Sequence, residues 1–403
     1  MTFTSRSWAW ALRTMRVVVV TGPRQAGKST LVRTHPKLAA RPYYSLDDAP
    51  TLLRAQADRR AFVRSGPQMT IDEVQRNPEL ILAIKVVVDE QRPQRRGQFV
   101  LTGSANLLMM DHVGDSLAGR AYYVRLQPLT RHELQGLGTT GYWTRFFDTP
   151  VEDWLEMMRE SSSLREDWRE VVKKGGFPAA AVEIGDPLER SLWFDGYTAT
   201  YLERDLRDLK TVANLPAFQT LMQAAALRIG NLLNHAELAR DVKMPAATVH
   251  SYLGLLETSF QATLLAAYAR NRTKRLIKAP KLYWNDVGLA LHLGGGEPTG
   301  AHLENYILTD LLAWRDTETP RPEITYWRTT AGAEVDFVIE RRHKLLGVEV
   351  KASGAPSPRD AAHLMTFQSE YGPAVRGSVI LHGGEEAYWL GDRILAVPWW
   401  RVL

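Results

Sequence analysis

Four consecutive valines, Val17 to Val20, run into Thr21-Gly22, and after Lys28-Ser29-Thr30 the apolar pair Leu31-Val32 resumes at helical spacing. An unbroken apolar tetrad, a glycine and then a helix-spaced pattern predict a buried strand, a loop and a helix. Shorter apolar runs at Tyr43 to Leu46, Gln68 to Ile71 and Phe99 to Thr102 each lead into polar residues and helical spacing. That alternation predicts a parallel α/β sheet over residues 1–141. The Gly-rich stretch 135–141 closes this unit, and residues 142–230, with Trp and Leu at wide spacing and no strand signal, read as a helical region. A second Gly-rich loop, 294–300, precedes a helix-like segment and period-2 strands between Ile324 and Val350, so residues 231–293 and 294–403 form two further units.

Composition narrows the class without naming a chemistry. The 403 residues suffice for two to four domains with full cores, and 45% hydrophobic against 24% charged residues is ordinary for ordered globular chains. No cysteine is present, which excludes disulfides, thiol catalysis and cysteine-ligated metal. A net charge of +5 is too small over this length to define a polyanion binder, so charge distribution has to carry that argument. No apolar run approaches the roughly 18 residues of a membrane span, and the expectation is a cytoplasmic protein with no membrane partner.

The first chemistry is in the loop after the valines. Gly22-Pro23-Arg24-Gln25-Ala26-Gly27-Lys28-Ser29-Thr30 matches GxxxxGK followed by Ser or Thr, between a predicted strand and helix as the mechanism requires. Glycines let backbone N–H groups fold around phosphate oxygens, Lys28 brings a cation to the terminal phosphates, and Ser29 offers a hydroxyl to Mg²⁺. ATP with Mg²⁺ is the expected cofactor, and these nine residues are its expected contacts. Asp72 and Glu73 end the third apolar run, where one carboxylate is placed to hold Mg²⁺ and the next to act as base toward the attacking water. Acid pairs after strands also merely cap helices; the neighbouring loop is what favours chemistry here. Thr102 and Ser104 follow the next strand, where small hydroxyls would sense a γ-phosphate.

The order GPRQAGKST, IDEVQ, FVLTGSANLL and SLAGRAYYVRLQPLTRHEL resembles the AAA-type ATPases of bacteria and archaea that carry a C-terminal domain of unknown function related to PD-(D/E)xK nucleases. The resemblance covers most of the chain. It implies an AAA-type parallel sheet, a homo-oligomer that closes into a ring, and an arginine reaching the neighbouring subunit's γ-phosphate; Arg120 of SLAGR is the position that matches. Arg120 could equally serve a structural ion pair.

Residues 235–256, HAELARDVKMPAATVHSYLGLLE, place apolar side chains at Leu238, Ala239, Val242, Val249, Tyr252, Leu253 and Leu256 around a break at Met244-Pro245. This predicts two short helices about a turn, a winged-helix variant with Lys243 where such turns often hold glycine. Thr248 and His250 are its candidate DNA contacts. The segment from Arg270 to Lys281 follows with six basic residues in twelve and no acid, and Arg270, Arg272, Lys274 and Arg275 are read as phosphate contacts of a wing. The alternatives are a docking surface for protein, or a solvated basic run.

Near the C-terminus, strand alternation puts Glu334 and Asp336 on one face with Val335, Phe337 and Ile339 on the other, and Glu349 with Lys351 opposite Leu346, Val348 and Val350. Asp336, Glu349 and Lys351 can then converge: two carboxylates hold a divalent cation and the ammonium stabilises developing charge on a phosphodiester. The order D-x12-E-x-K resembles the PD-(D/E)xK nuclease core, with Val335 in place of the proline, and the resemblance implies Glu304 of the preceding helix as a further metal ligand. A solvated, ion-paired sheet face satisfies the same pattern. Three functions remain open from sequence. They are an ATP-driven motor or remodeller of duplex or branched DNA such as junctions, an ATP-gated metal-dependent nuclease, and a nucleotide-operated switch binding a protein through its winged helix.

Overall fold

The computed structural model describes residues 5–90, 96–103, 117–138, 140–161, 163–202, 212, 214–271 and 278–403, with side chains described from residue 10 onward. Ser104, Arg272, Lys274 and Arg275 lie outside the described residues. β1 (Val17–Thr21), β2 (Tyr43–Ser45), β3 (Met69–Asp72), β4 (Phe99–Thr102) and β5 (Ala121–Arg125) form one sheet in the order β2-β3-β4-β1-β5, parallel throughout. The valine tetrad is buried because both its faces are covered. Val17 and Val19 pack with Leu101 and Ile84 on one side, and Val18 and Val20 with Leu31 and Val32 on the other.

A hairpin of β6 (Ala262–Leu265) and β7 (Lys281–Trp284) follows two helices, His235–Asp241 and Ala246–Thr258, joined by a turn in which Lys243 takes a left-handed φ of 53°. The helix pair stands where the periodicity placed it. Its core is shared with residues on both sides of 230: Phe177, Phe194 and Phe218 pack with Val249, Leu253, Leu282 and Trp284.

The C-terminal sheet has β8 (Glu323–Arg328), β9 (Glu334–Arg341), β10 (Lys344–Lys351), β11 (Val375–His382), β12 (Tyr388–Gly391) and β13 (Ile394–Pro398), in the order β12-β13-β11-β10-β9-β8. Its outer strands pair antiparallel, while β10, β11 and β13 run parallel. One face packs on the Gly300–Thr317 helix and on Trp143, Trp154 and Trp168, which enter this core rather than a separate helical one. The other face packs on the Ala362–Tyr371 helix through Leu364 and Phe367. Trp399 and Trp400 are buried against the first face. Val335 departs from the expected alternation: the irregularity between Thr325 and Trp327 breaks the β8–β9 register there, and Val335 packs with Trp327 and Val338, away from Phe337 and Ile339.

These units are joined beyond the ends of β5 and β6. Beside the β5 end, Gln127 Nε2 donates to Asp316 of the Gly300–Thr317 helix over 3.1 Å, and the Arg125 guanidinium lies over the Phe260 ring at 4.7 Å. Just past β6, Tyr268 N donates to Tyr326 O and Tyr326 N to Ala266 O, so the hairpin's first arm runs onto the β8 edge. Among the described residues no helix is long and apolar enough to cross a membrane.

Candidate functional site: a nucleotide loop and a carboxylate cluster

The loop Gly22–Gly27 leaves β1 and turns into the helix Lys28–Thr34. Gly22 has φ +142°, and a Cβ there would stand 2.2 Å from the Leu126 carbonyl oxygen, so only glycine lets the loop pass under the β5 exit. Gln25 and Gly27 are also left-handed, at φ 58° and 89°, which turns successive peptide units over the helix start. Lys28 is buried, and its ammonium donates to the carbonyl oxygens of Gly22 (3.1 Å) and Pro23 (2.7 Å), bracing the loop that the triphosphate would fill. Ser29 and Thr30 follow on the first turn, half-buried and exposed respectively.

Asp72 ends β3, buried, and both its carboxylate oxygens accept hydroxyl donors: Thr102 from β4 and Tyr43 from β2. Burial and the bond to Asp72 push the Tyr43 phenol up, so it remains a donor. Glu73 follows in a left-handed conformation (φ 55°); its N–H approaches the Thr102 hydroxyl at 3.3 Å, and its carboxylate accepts from Gln75. The sequence therefore placed Asp72, Glu73 and Thr102 together. It missed Tyr43, which the short strand Tyr43–Ser45 carries to Asp72 by pairing parallel with β3. Hydroxyl and carboxylate oxygens from Ser29 and Asp72 are a hard donor set that suits Mg²⁺, which would polarise the transferred phosphate there.

Arg120 stands at the start of β5, the strand end away from the loop, and grips Asp89 through two bonds of 2.7 and 2.8 Å. That guanidinium holds the Asp89 carboxyl below its ordinary range. Arg120 therefore lies at the wrong end of the sheet to touch its own chain's triphosphate.

The second cluster is at the C-terminal sheet. Glu304, Glu334 and Asp336 converge, and they converge on an ammonium. Lys281 Nζ, at the start of β7, lies 3.1 Å from Glu304 Oε1, 2.6 Å from Glu334 Oε1 and 3.3 Å from Asp336 Oδ1, and its side chain is 3% exposed. Tyr283 also donates to Glu304 Oε1, and Val350 N donates to Asp336 Oδ2 at 2.9 Å. Glu349 is buried rather than projecting; Lys351 takes its Oε1 at 2.8 Å, and its Oε2 has no hydrogen-bond partner. Burial first, and then the negative charge of Asp336, push both Glu304 and Glu349 above the ordinary carboxylate range.

Among the described residues no group of three or more His, Asp or Glu is arranged to hold a metal ion; Glu304 and Asp336 are ion-paired with Lys281, and Glu349 with Lys351. Lys281, counted in the basic run, is not on a polyanion-facing surface at all. A lysine opening the otherwise apolar strand Lys281–Trp284 was the available signal for its burial.

On the helix pair, His250 and Ser251 are exposed and Thr248 is half-buried. His250 Nδ1 lies 3.3 Å from His235 Nδ1. Arg270 is exposed but engaged: it donates to the Glu370 carbonyl at 3.1 Å and lies over the Tyr371 ring, which fastens the start of the basic segment to the C-terminal unit.

Three families match along the chain. Residues 14–135 match the AAA domain, residues 165–300 a domain of unknown function, DUF8612, and residues 299–402 another, DUF4143. The N-terminal sheet with its loop thus lies within the residues that match the AAA domain. Two curated relatives, the uncharacterized proteins Rv2008c of Mycobacterium tuberculosis and Mb2031c of Mycobacterium bovis, are each 29% identical over 402 residues, covering 98% of this chain and 82% of the relative. Among solved structures, a RuvB of Thermotoga maritima is similar at TM-score 0.30 and 17% identity, over 65% of this chain and 88% of that one. Cdc6p of Pyrobaculum aerophilum is similar at TM-score 0.24 and 12% identity, over 66% and 85%. Scores this low carry no argument about the arrangement of the whole chain.

Proposed function

We propose that this chain hydrolyses ATP to move or remodel duplex or branched DNA, four-way junctions included, as a homo-oligomer. The observation that carries the hydrolytic half is Asp72 held by two hydroxyls from neighbouring strands, one residue before Glu73. Such an arrangement fixes a metal-binding carboxylate before the substrate arrives. Lys28 then neutralises the terminal phosphates, Ser29 and Asp72 hold Mg²⁺, and Glu73 draws the proton from the attacking water.

The DNA half is supported by the open face of the Ala246–Thr258 helix, which presents His250 and Ser251 beside a hairpin that feeds the basic segment. Coupling is supported by β5. It follows the nucleotide loop's neighbour strand and touches both other units, through Arg125 on Phe260 and Gln127 on Asp316. Strand cleavage gains no support from the C-terminal cluster, whose carboxylates are ion-paired with Lys281 and Lys351.

The test is ATP turnover measured on single-stranded, duplex, forked and four-way DNA, beside Lys28→Ala. Turnover stimulated several-fold by at least one duplex-containing substrate, and absent in the variant, is expected. A rate that ignores every DNA while remaining Lys28-dependent removes the DNA assignment and leaves the ATPase.

A further inference from the structure

We propose that Lys281 is the resident cation of the C-terminal carboxylate cluster: its ammonium takes the place a divalent ion would occupy between Glu304 and Asp336, and it keeps such ions out for as long as β7 stays seated.

The geometry assigns most of the nearby carboxylate oxygens. Asp336 gives Oδ1 to Lys281 and Oδ2 to Val350 N, Glu304 gives Oε1 to Lys281 and Tyr283, and Glu349 gives Oε1 to Lys351. Glu334 is the shortest partner of Lys281, and it is also tied to Arg328 at 2.9 Å. Three carboxylates around one ammonium satisfy its three N–H donors, which is what lets a lysine stay buried and charged. A second, doubly charged cation in the same space would face Lys281 at close range in a medium that screens poorly.

The position of Lys281 is fixed from outside the cluster. β7 is held by its ladder with β6, by Gly230 N to Leu282 O (2.8 Å) and by Leu233 N to Pro280 O (2.8 Å). Buried Asn305, one residue after Glu304, exchanges two bonds with the Trp284 backbone, 2.7 Å to its N–H and 2.8 Å to its C=O. The helix that carries Glu304 is therefore registered to the strand that carries Lys281. The partnerless Glu349 Oε2 beside this arrangement leaves the cluster one buried acceptor short of a donor, and a cation admitted in place of Lys281 would find it there. The inference stands apart from the ATPase assignment, since none of its residues touches the nucleotide loop.

The experiment titrates Mn²⁺ into the full nucleotide-free chain and follows bound ion by electron paramagnetic resonance, with thermal melting in parallel. Wild type is expected to show no Mn²⁺ binding that depends on Asp336. Lys281→Met is expected to bind one ion on the order of tenfold or more tighter, to gain melting temperature on adding Mn²⁺, and to lose both effects when Asp336→Asn is added. Wild type binding Mn²⁺ through Asp336 as tightly as Lys281→Met overturns the proposal, and so does a folded Lys281→Met that binds none. Should that variant fail to fold, Lys281→Gln takes its place, keeping N–H donors for the carboxylates while removing the charge and leaving Glu304, Asp336 and Glu349 intact. Raised Mn²⁺ affinity in it supports the proposal; affinity equal to wild type overturns it.

Discussion

Thr102 donates its hydroxyl to the carboxylate of Asp72, tying the end of β4 to the end of β3 beside the nucleotide loop. The same hydroxyl faces the Glu73 N–H at 3.3 Å, so one side chain sets the acid proposed to hold Mg²⁺ and the residue that follows it. Thr102→Val keeps the shape and deletes the donor. Turnover is expected to fall roughly 10- to 100-fold, the range for losing a group that orients a metal ligand, with ATP affinity nearly unchanged, while Thr102→Ser retains most of the rate. Steady-state turnover and binding of a fluorescent ATP analogue separate the two parameters. Equal loss in the Val and Ser variants would make the role one of packing.

Tyr43 holds the other oxygen of Asp72, and it acts through Asp72 rather than on substrate. Tyr43→Phe is therefore expected to raise the Mg²⁺ concentration needed for half-maximal turnover by about tenfold, with less effect on the rate at saturating Mg²⁺. An unchanged Mg²⁺ dependence would show that Thr102 alone positions the acid.

The difference between Asp72 and Lys281 marks how far the sequence could be read. Asp72, Lys28 and the glycines are legible because their geometry is local: a strand, a turn requiring glycine at Gly22 and a helix start follow each other along the chain. The alternation along β10 was legible for the same reason, and with it the approach of Asp336 to Glu349, although β9 departs from its expected phase at Val335. Tyr43 and Lys281 were not, because each reaches its partner across a strand pairing or a unit boundary; Lys281 is 55 residues from Asp336. Composition counted Lys281 with its basic neighbours. Trp143, Trp154 and Trp168 were misplaced for a related reason, since wide spacing along the chain says nothing of the distant sheet they cover.

Arg120 is paired with Asp89 at the strand end opposite its own loop, so any catalytic role has to be played on a neighbouring subunit. Arg120→Ala and Lys28→Ala are each expected to be inactive alone. Mixed one to one, a head-to-tail ring places an intact arginine against an intact loop at roughly a quarter of its interfaces, and turnover is expected to return toward that fraction. Subunit-mixing assays read this directly. A mixture as dead as its parts would leave Arg120 as the structural partner of Asp89.

Asp310 gives a dependence on pH that belongs to folding alone. It is buried in the Gly300–Thr317 helix, where Trp143 Nε1 donates to its Oδ1 at 2.6 Å while Oδ2 has no partner. Burial pushes its carboxyl up to about 7, against the opposing effect of the tryptophan bond. The folded chain thus holds this proton more tightly than the unfolded chain, whose Asp titrates near the ordinary 3.8. The resulting stabilisation is complete below that ordinary value and is lost as pH rises through about 7. Asp310→Asn keeps an acceptor for Trp143 and removes the titration. Chemical denaturation at pH 5 and pH 8 should then show wild type losing about 3 kcal/mol more than the variant between the two pH values. Other buried acids, such as Glu133 and Asp286, titrate in both proteins and largely cancel in the comparison. Identical slopes for the two proteins would mean that Asp310 is charged throughout, with a counter-charge closer than Arg131 provides.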